Sequence, residues 1–85
     1  MMSSLSGRLR ASIAAVMFQT GQTQRDLAVV LGVTQGQVSR RQTGTASWSL
    51  QDCEVLAAHW GIDPLDLLAG PTQATEALPA REQTS

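Results

Sequence analysis

The side chains best suited to recognition chemistry lie between Gln35 and Thr43, where Gln, Arg and small polar residues follow one another. A Gln amide offers a donor and an acceptor that pair with adenine, and an Arg guanidinium offers two donors that pair with guanine. Val38 is the only core-type residue of this stretch, so a helix formed here buries little. The composition therefore predicts a polar helix that contacts base edges of double-stranded DNA.

Other kinds of chemistry lack the residues they need in this sequence. Cys53 is the only cysteine and His59 the only histidine. Neither has a neighbour at the spacing of a metal site or of a nucleophile with its base. We interpret Cys53 as a core residue and His59 as a solvent-facing or capping residue. We predict no catalytic residue, no metal, no cofactor and no small-molecule ligand, and therefore a protein that is not an enzyme.

Two capping patterns define the helices that position the polar stretch. Thr23 is followed three residues later by Asp26, and Thr34 is followed three residues later by Gln37. In each pair the hydroxyl and the returning polar side chain satisfy backbone amides at the start of a helix. Gly32 lies between the pairs and can adopt the left-handed backbone that ends a helix. The spacing therefore predicts a helix, a tight turn and a second helix.

The remaining sequence predicts an all-α domain. No run alternates apolar and polar residues as a strand does, and Gly and Pro stand where helices would end. The predicted helices cover residues 4–19, 24–31, 35–43, 50–60 and 64–69. After Pro71 the composition turns polar and cannot bury enough surface to offset the cost of ordering. We therefore expect one compact domain over residues 1–70 and a flexible, disordered C-terminal tail over residues 71–85.

The charges are distributed unevenly along the chain. Residues 1–48 carry five Arg against Asp26, whereas residues 49–85 carry Arg81 against six acidic residues. A basic face of this kind attracts phosphate although the net charge of the whole chain is −1. The single cysteine fits a reducing compartment, and no apolar stretch has the length of a membrane span or a signal-peptide core. We expect a soluble cytoplasmic protein.

These features resemble the Cro and phage-repressor class of helix-turn-helix proteins, and more closely the small regulators of actinobacteria and their phages. The resemblance covers about residues 9–70 and rests on TQRDLAVVLGVTQGQVSRRQTG followed by WSLQDCEVLAAHWGIDPLDLL. It implies a five-helix DNA-binding domain whose recognition helix begins at Gln35. It further implies a Cro-type repressor in a bacterial cytoplasm, bound to a pseudo-palindromic operator as a homodimer that forms in solution or only on DNA.

The resemblance also assigns roles to individual residues. The positions that face base edges are Gln35, Gly36 and Arg40. The positions at or near backbone phosphates are Gln24, Gln37, Ser39 and Thr43. The first of these, Gln24, is also expected to brace the following helix. From the charge of their side chains we also predict phosphate contacts for Arg25 and Arg41.

Three residues depart from the pattern of the resembled class. Gln22 stands where an aliphatic residue is usual, and Gly36 removes one potential base contact. Arg41 stands where an aliphatic residue or Trp usually packs on the core. Either its stem lies over Trp48 while its head reaches a phosphate, or it loosens that end of the helix.

A second hypothesis assigns the main partner to another protein. In this interpretation the chain is an antitoxin-like regulator or adaptor that binds its partner through the acidic second half or through the tail after Pro71. The leucines near residues 65–68 also have two interpretations, since they can complete the core or form a small dimer contact.

Overall fold

The computed structural model describes residues 4–79. Its helices in chain order are α1 (Leu5–Thr20), α2 (Gln24–Leu31), α3 (Gln35–Thr43), α4 (Leu50–Trp60), α5 (Pro64–Leu68) and α6 (Pro71–Glu76). No strand occurs among the described residues, and the predicted all-α class is confirmed. None of the helices in this part of the chain is long and apolar enough to cross a membrane.

The helix starts follow from side chains that satisfy backbone amides. Both predicted capping boxes are present at the starts of α2 and α3, and a third, formed by Ser49 and Asp52, begins α4. Gly32 ends α2 with a φ of 71°, a conformation that costs a residue with a Cβ atom considerably more. The turn between α2 and α3 is therefore fixed by local chemistry at both of its ends.

The core receives at least one buried side chain from every helix. Its centre consists of residues with no measurable exposure, namely Ile13, Val16, Leu27, Val38, Leu56, Ala57, Leu67 and Ala74. Trp48, in the link between α3 and α4, is also buried, at 6% exposure. Because these apolar side chains come from all six helices, their removal from water stabilises the arrangement as a whole.

Residues 71–79 correct the prediction of five helices followed by a disordered tail. Pro71 is the first residue of α6, a position where its missing N–H costs nothing, and α6 packs along α1. Ala74 is fully buried and Leu78 is half-buried, so a polar-looking segment still contributes to the core. The domain therefore extends past residue 70, and residues 80–85, the rest of the predicted tail, lie outside the described residues.

A charge placed at Ala74 tests the packing of α6. We expect Ala74→Glu to lower the free energy of unfolding by about 2 kcal/mol, because the interface with α1 offers a buried carboxylate little compensation. Urea unfolding followed by tryptophan fluorescence measures this change. Thr72→Glu adds the same charge at an exposed position of the same helix and is the matched control. Equal unfolding midpoints for the two variants would contradict the packing of α6 on α1.

Candidate nucleic-acid interface

Helix α3 lies at the surface and has one buried side chain. That side chain is Val38, which is fully buried, and α2 supplies Leu27 and Ala28 to the same core. The residues predicted to read bases are all exposed, namely Gln35, Gly36 and Arg40. We call residues 23–44 the α2–α3 unit. Its outer side is polar because every residue of α3 other than Val38 is a Gln, Arg, Ser, Thr or Gly.

Arg40 and Gly36 lie together on the exposed side of α3. A Cβ atom placed on Gly36 would come 3.8 Å from Nη1 of Arg40, which is ordinary contact distance. The guanidinium therefore lies beside the space that the missing side chain leaves. An alanine at position 36 fits that space, so the structure does not require glycine here for steric reasons.

Gln24 of α2 bridges the two ends of α3. Its Nε2 donates to Oε1 of Gln42 at 2.8 Å, and its Oε1 accepts a long hydrogen bond of 3.5 Å from Nε2 of Gln35. Gln42 in turn donates from Nε2 to Sδ of Met17 at 3.2 Å. The contact with Gln35 and Gln42 is the brace that was expected of Gln24, whereas its phosphate contact stays a prediction.

Arg41 turns away from the exposed side of α3 and lies between α3 and α4. Its guanidinium carbon is 5.9 Å from the ring centroid of Trp48, and its Nε is 3.6 Å from Oδ2 of Asp52. The Arg41 and Asp52 side chains are only 20% and 14% exposed. The contact with Trp48 that was predicted for the stem of Arg41 is made by its guanidinium head, and the ion pair with Asp52 is a contact that the sequence did not indicate. A phosphate contact of Arg41 stays a prediction.

Asp52 has a second role in the same place. Its Oδ2 also accepts a hydrogen bond of 3.0 Å from the backbone N–H of Ser49, the capping residue that precedes α4. One carboxylate therefore joins the last turn of α3 to the first turn of α4. Within residues 4–79, Nη1 of Arg41 and Nε1 of Trp48 are buried without a hydrogen-bond partner. Burying such donors has a cost, and for Arg41 the ion pair offsets part of it.

The other predicted phosphate contacts lie at the edges of α3 and at the start of α2. Gln37 is committed to its capping box, where Oε1 accepts from the backbone N–H of Thr34 at 2.9 Å. Thr43 donates from its hydroxyl to the carbonyl of Arg40 at 3.2 Å. Ser39 is half-buried, and Arg25 is exposed on the first turn of α2.

Arg10, a basic residue of α1, lies near the end of α3. A Cβ atom placed on Gly44, where α3 ends, would come 2.9 Å from Nη1 of Arg10. The guanidinium therefore covers the glycine, and the positive φ of 89° at Gly44 independently favours a residue without a side chain. No local pattern predicts this contact because the two residues belong to distant parts of the sequence. It adds a fourth arginine to the neighbourhood of α3, which already holds Arg25, Arg40 and Arg41.

Gln22, the departure from the resembled class, has a partner at the end of α4. Its Oε1 accepts from Nε1 of Trp60 at 2.6 Å, and its Nε2 lies 2.9 Å from Nε2 of His59. Indole N–H is a donor only, so the Gln22 carbonyl must face Trp60 and His59 must accept from the amide. Gln22 therefore satisfies a buried indole that an aliphatic residue would leave unpaired. His59 is exposed, as expected.

Cys53 belongs to the core, which confirms the interpretation from the sequence. It is 1% exposed, and burial raises the pKa of its thiol. Its Sγ lies 3.7 Å from the carbonyl oxygen of Pro64 and so contributes to the contact between α4 and α5. A thiol that is buried and protonated is a packing group.

Comparison with known proteins finds no family model, no curated protein and no solved structure that matches this chain. The case for a function rests on the residues and on their geometry.

The start of α2 should be sensitive to acid. The Asp26 carboxylate accepts from the backbone N–H of Thr23 at 2.8 Å, and this hydrogen bond holds the pKa of Asp26 below its ordinary value of 3.8. A carboxyl group with a lowered pKa in the folded state stabilises the fold above the unfolded value, and this contribution disappears as the pH falls through the folded value. We therefore expect the free energy of unfolding to fall less steeply below pH 3.8 in Asp26→Asn than in the wild type.

Urea unfolding at a series of pH values measures this effect, and an NMR titration of Asp26 measures its pKa directly. Glu54→Gln, a change at an exposed carboxylate of α4, is the matched control. An Asp26 pKa at or above 3.8 would contradict the prediction.

The ion pair between Arg41 and Asp52 should show coupling in a double-mutant cycle. We expect the double variant with Arg41→Leu and Asp52→Asn to lose about 1 kcal/mol less unfolding free energy than the two single variants lose in total. The reason is that each single change leaves one mostly buried charge unpaired. Free energies of unfolding for the four proteins provide the coupling. Additive effects would show that the two charges do not interact in solution.

Proposed function

We propose that this chain is a sequence-specific double-stranded DNA-binding transcriptional regulator of the helix-turn-helix type. In this proposal the α2–α3 unit binds the duplex, and α3 lies in the major groove as the recognition helix. The observation that carries the proposal is the exposed polar side of α3, which presents Gln35 and Arg40 while a single residue, Val38, is fully buried. A helix that contributes so little to the core is expected to have another partner.

The roles of the two leading side chains follow from their chemistry. Arg40 carries donors for the O6 and N7 acceptors of guanine, and Gln35 carries the donor and acceptor that match adenine. Gln24 braces Gln35 from α2 at 3.5 Å, and a braced side chain loses less conformational entropy when it binds. Because Gly36 has no side chain to contact a base, discrimination between DNA sequences rests on fewer residues in this proposal.

Phosphate binding is proposed for residues around the reading face. Arg25 is exposed at the start of α2, and Gln37, Ser39 and Thr43 lie along α3. Arg10 joins this set because its guanidinium lies over Gly44, where α3 ends. Contacts of this kind fix the position of the protein on the duplex and make its affinity depend on salt.

A Cro-type phage or prophage repressor in a bacterial cytoplasm is the form of regulator that the sequence resemblance favours. Regulators of this size bind palindromes as dimers, with two recognition helices about 34 Å apart. The leucines of α5 divide between the two roles considered for them. Leu67 is fully buried and Leu68 packs on the core, whereas Leu65 is 70% exposed and available to a second copy.

The adaptor hypothesis placed partner binding partly in the tail after Pro71. Residues 71–79 instead form α6 and its end against α1, so removing them would disturb the fold itself. A truncation that separates the two hypotheses therefore removes residues 80–85 alone.

Substitution of Arg40 tests the proposed function. We expect Arg40→Ala to weaken binding to the preferred duplex by on the order of tenfold or more, because one bidentate pair with guanine contributes about 1–3 kcal/mol of discrimination. The preferred duplex comes from selection out of a random double-stranded pool, and titration of labelled duplex gives the affinities. Arg8→Ala is the matched control, because Arg8 lies beside Gly70 near α6 and carries the same charge.

Two further results would decide the assignment. Equal losses in Arg40→Ala and Arg8→Ala would contradict base reading by α3, and failure of the wild-type chain to select any sequence would contradict sequence-specific binding. Affinities measured at several salt concentrations distinguish an arginine that binds phosphate from one that reads a base. A residue that binds phosphate lowers the dependence of log K on log salt by about one when it is removed, and we expect this of Arg25→Ala.

A further inference from the structure

Four side chains form a continuous line from the core to the exposed start of α3. Met17 of α1 is 6% exposed, and its Sδ accepts from Nε2 of Gln42 at 3.2 Å. Oε1 of Gln42 accepts from Nε2 of Gln24 at 2.8 Å. Oε1 of Gln24 then accepts from Nε2 of Gln35 at 3.5 Å. All three amides donate toward the core, and those of Gln42 and Gln24 also accept from the side of the solvent.

The direction of the line is set at its buried end. A thioether sulfur has no hydrogen to donate, so the amide nitrogen of Gln42, and not its oxygen, must face Met17. The oxygen of Gln42 then faces Gln24, which has to donate through its own nitrogen. Reversal of either amide would place two acceptors or two donors against each other in a half-buried site.

The same direction determines what Gln35 offers to a partner. One of its two N–H groups is committed to Gln24, which leaves its carbonyl oxygen and a second N–H free. An acceptor beside a donor is the pattern that pairs with the N6 amino group and N7 of adenine. If the line were reversed, one lone pair of the Gln35 carbonyl would be occupied and both of its N–H groups would be free, which admits pairing with the two acceptors of guanine.

We infer that Met17 and Gln42 are positioning residues, which fix the amide direction of Gln35 and thereby set its preference for adenine over guanine. This inference rests on the proposed function, since Gln35 must meet a base for the preference to be expressed. Neither residue contacts DNA in this arrangement. Their influence reaches the duplex through Gln24.

Two opposite substitutions at position 42 test the direction. Gln42→Glu is an acceptor only, so Gln24 still donates to it and Gln35 keeps its orientation. Gln42→Lys is a donor only, so Gln24 must turn its oxygen inward and its nitrogen toward Gln35. We expect the ratio of adenine to guanine at the base facing Gln35 to be unchanged in Gln42→Glu and to fall on the order of tenfold in Gln42→Lys. Selection from a random duplex pool measures this ratio.

Met17→Leu is the second variant, because it removes the sulfur at nearly constant volume and should leave the fold intact. We expect it to narrow the ratio of adenine to guanine by several fold without reversing it. Urea unfolding of each variant verifies that the protein is folded. An adenine-to-guanine ratio equal to that of the wild type in both Gln42→Lys and Met17→Leu would overturn the inference.

A measurement on the free protein separates this inference from the proposed function. Nuclear Overhauser contacts between the side-chain amide protons of Gln42 and the methyl group of Met17 are expected in the wild type. Their absence would overturn the fixed direction whether or not the chain binds DNA. Their presence in a chain that selects no duplex would overturn the proposed function and, with it, the base preference assigned to Gln35.

Discussion

The structure of this protein depends on the contacts that hold α3 in place, because this helix has only one buried side chain. Val38 anchors α3 in the core, and the rest of the helix is polar. Burial of one valine contributes about 1.5–3 kcal/mol, too little to fix both the position and the rotation of a nine-residue helix. The remaining constraints come from polar groups at the two ends: a capping box at Thr34, hydrogen bonds from Gln24, and the ion pair of Arg41 with Asp52.

Hydrogen bonds and ion pairs of this kind contribute little net free energy, but they constrain the orientation of the helix strongly. A hydrogen bond contributes about 0.5–1.5 kcal/mol net and weakens steeply when its angle changes, whereas apolar contact tolerates rotation. Gln24 contacts both ends of α3 from α2, and Asp52 contacts the last turn from α4. The helix is therefore fixed in rotation by two neighbours, while Gly36 and Arg40 on its outer side stay exposed. This is the arrangement that the proposed DNA interface requires.

The features that the sequence predicted correctly are those determined by interactions between residues close together in the chain. The capping boxes at Thr23 and Thr34 and the glycine turn between them involve residues within a few positions of each other, so their types and spacing suffice. The contacts that position α3 from outside join residues far apart, as in Met17 with Gln42, and no local pattern indicates them. Helix α6 was missed for a related reason: Ala74 is small and its neighbours are polar, yet the face of α1 that receives it gives one alanine a fully buried place.

The adjacent arginines of α3 have different roles: one is exposed for a partner, and the other holds the helix within the fold. Consecutive residues on an α-helix point about 100° apart, so Arg40 and Arg41 cannot serve the same surface. Arg40 is exposed beside Gly36, whereas Arg41 is 20% exposed and paired with Asp52. Of two identical charges, one is available to a partner and the other is largely neutralised within the fold. The basic character of the proposed interface therefore rests on Arg10, Arg25 and Arg40, and the count of arginines in the sequence overstates the charge that α3 itself presents.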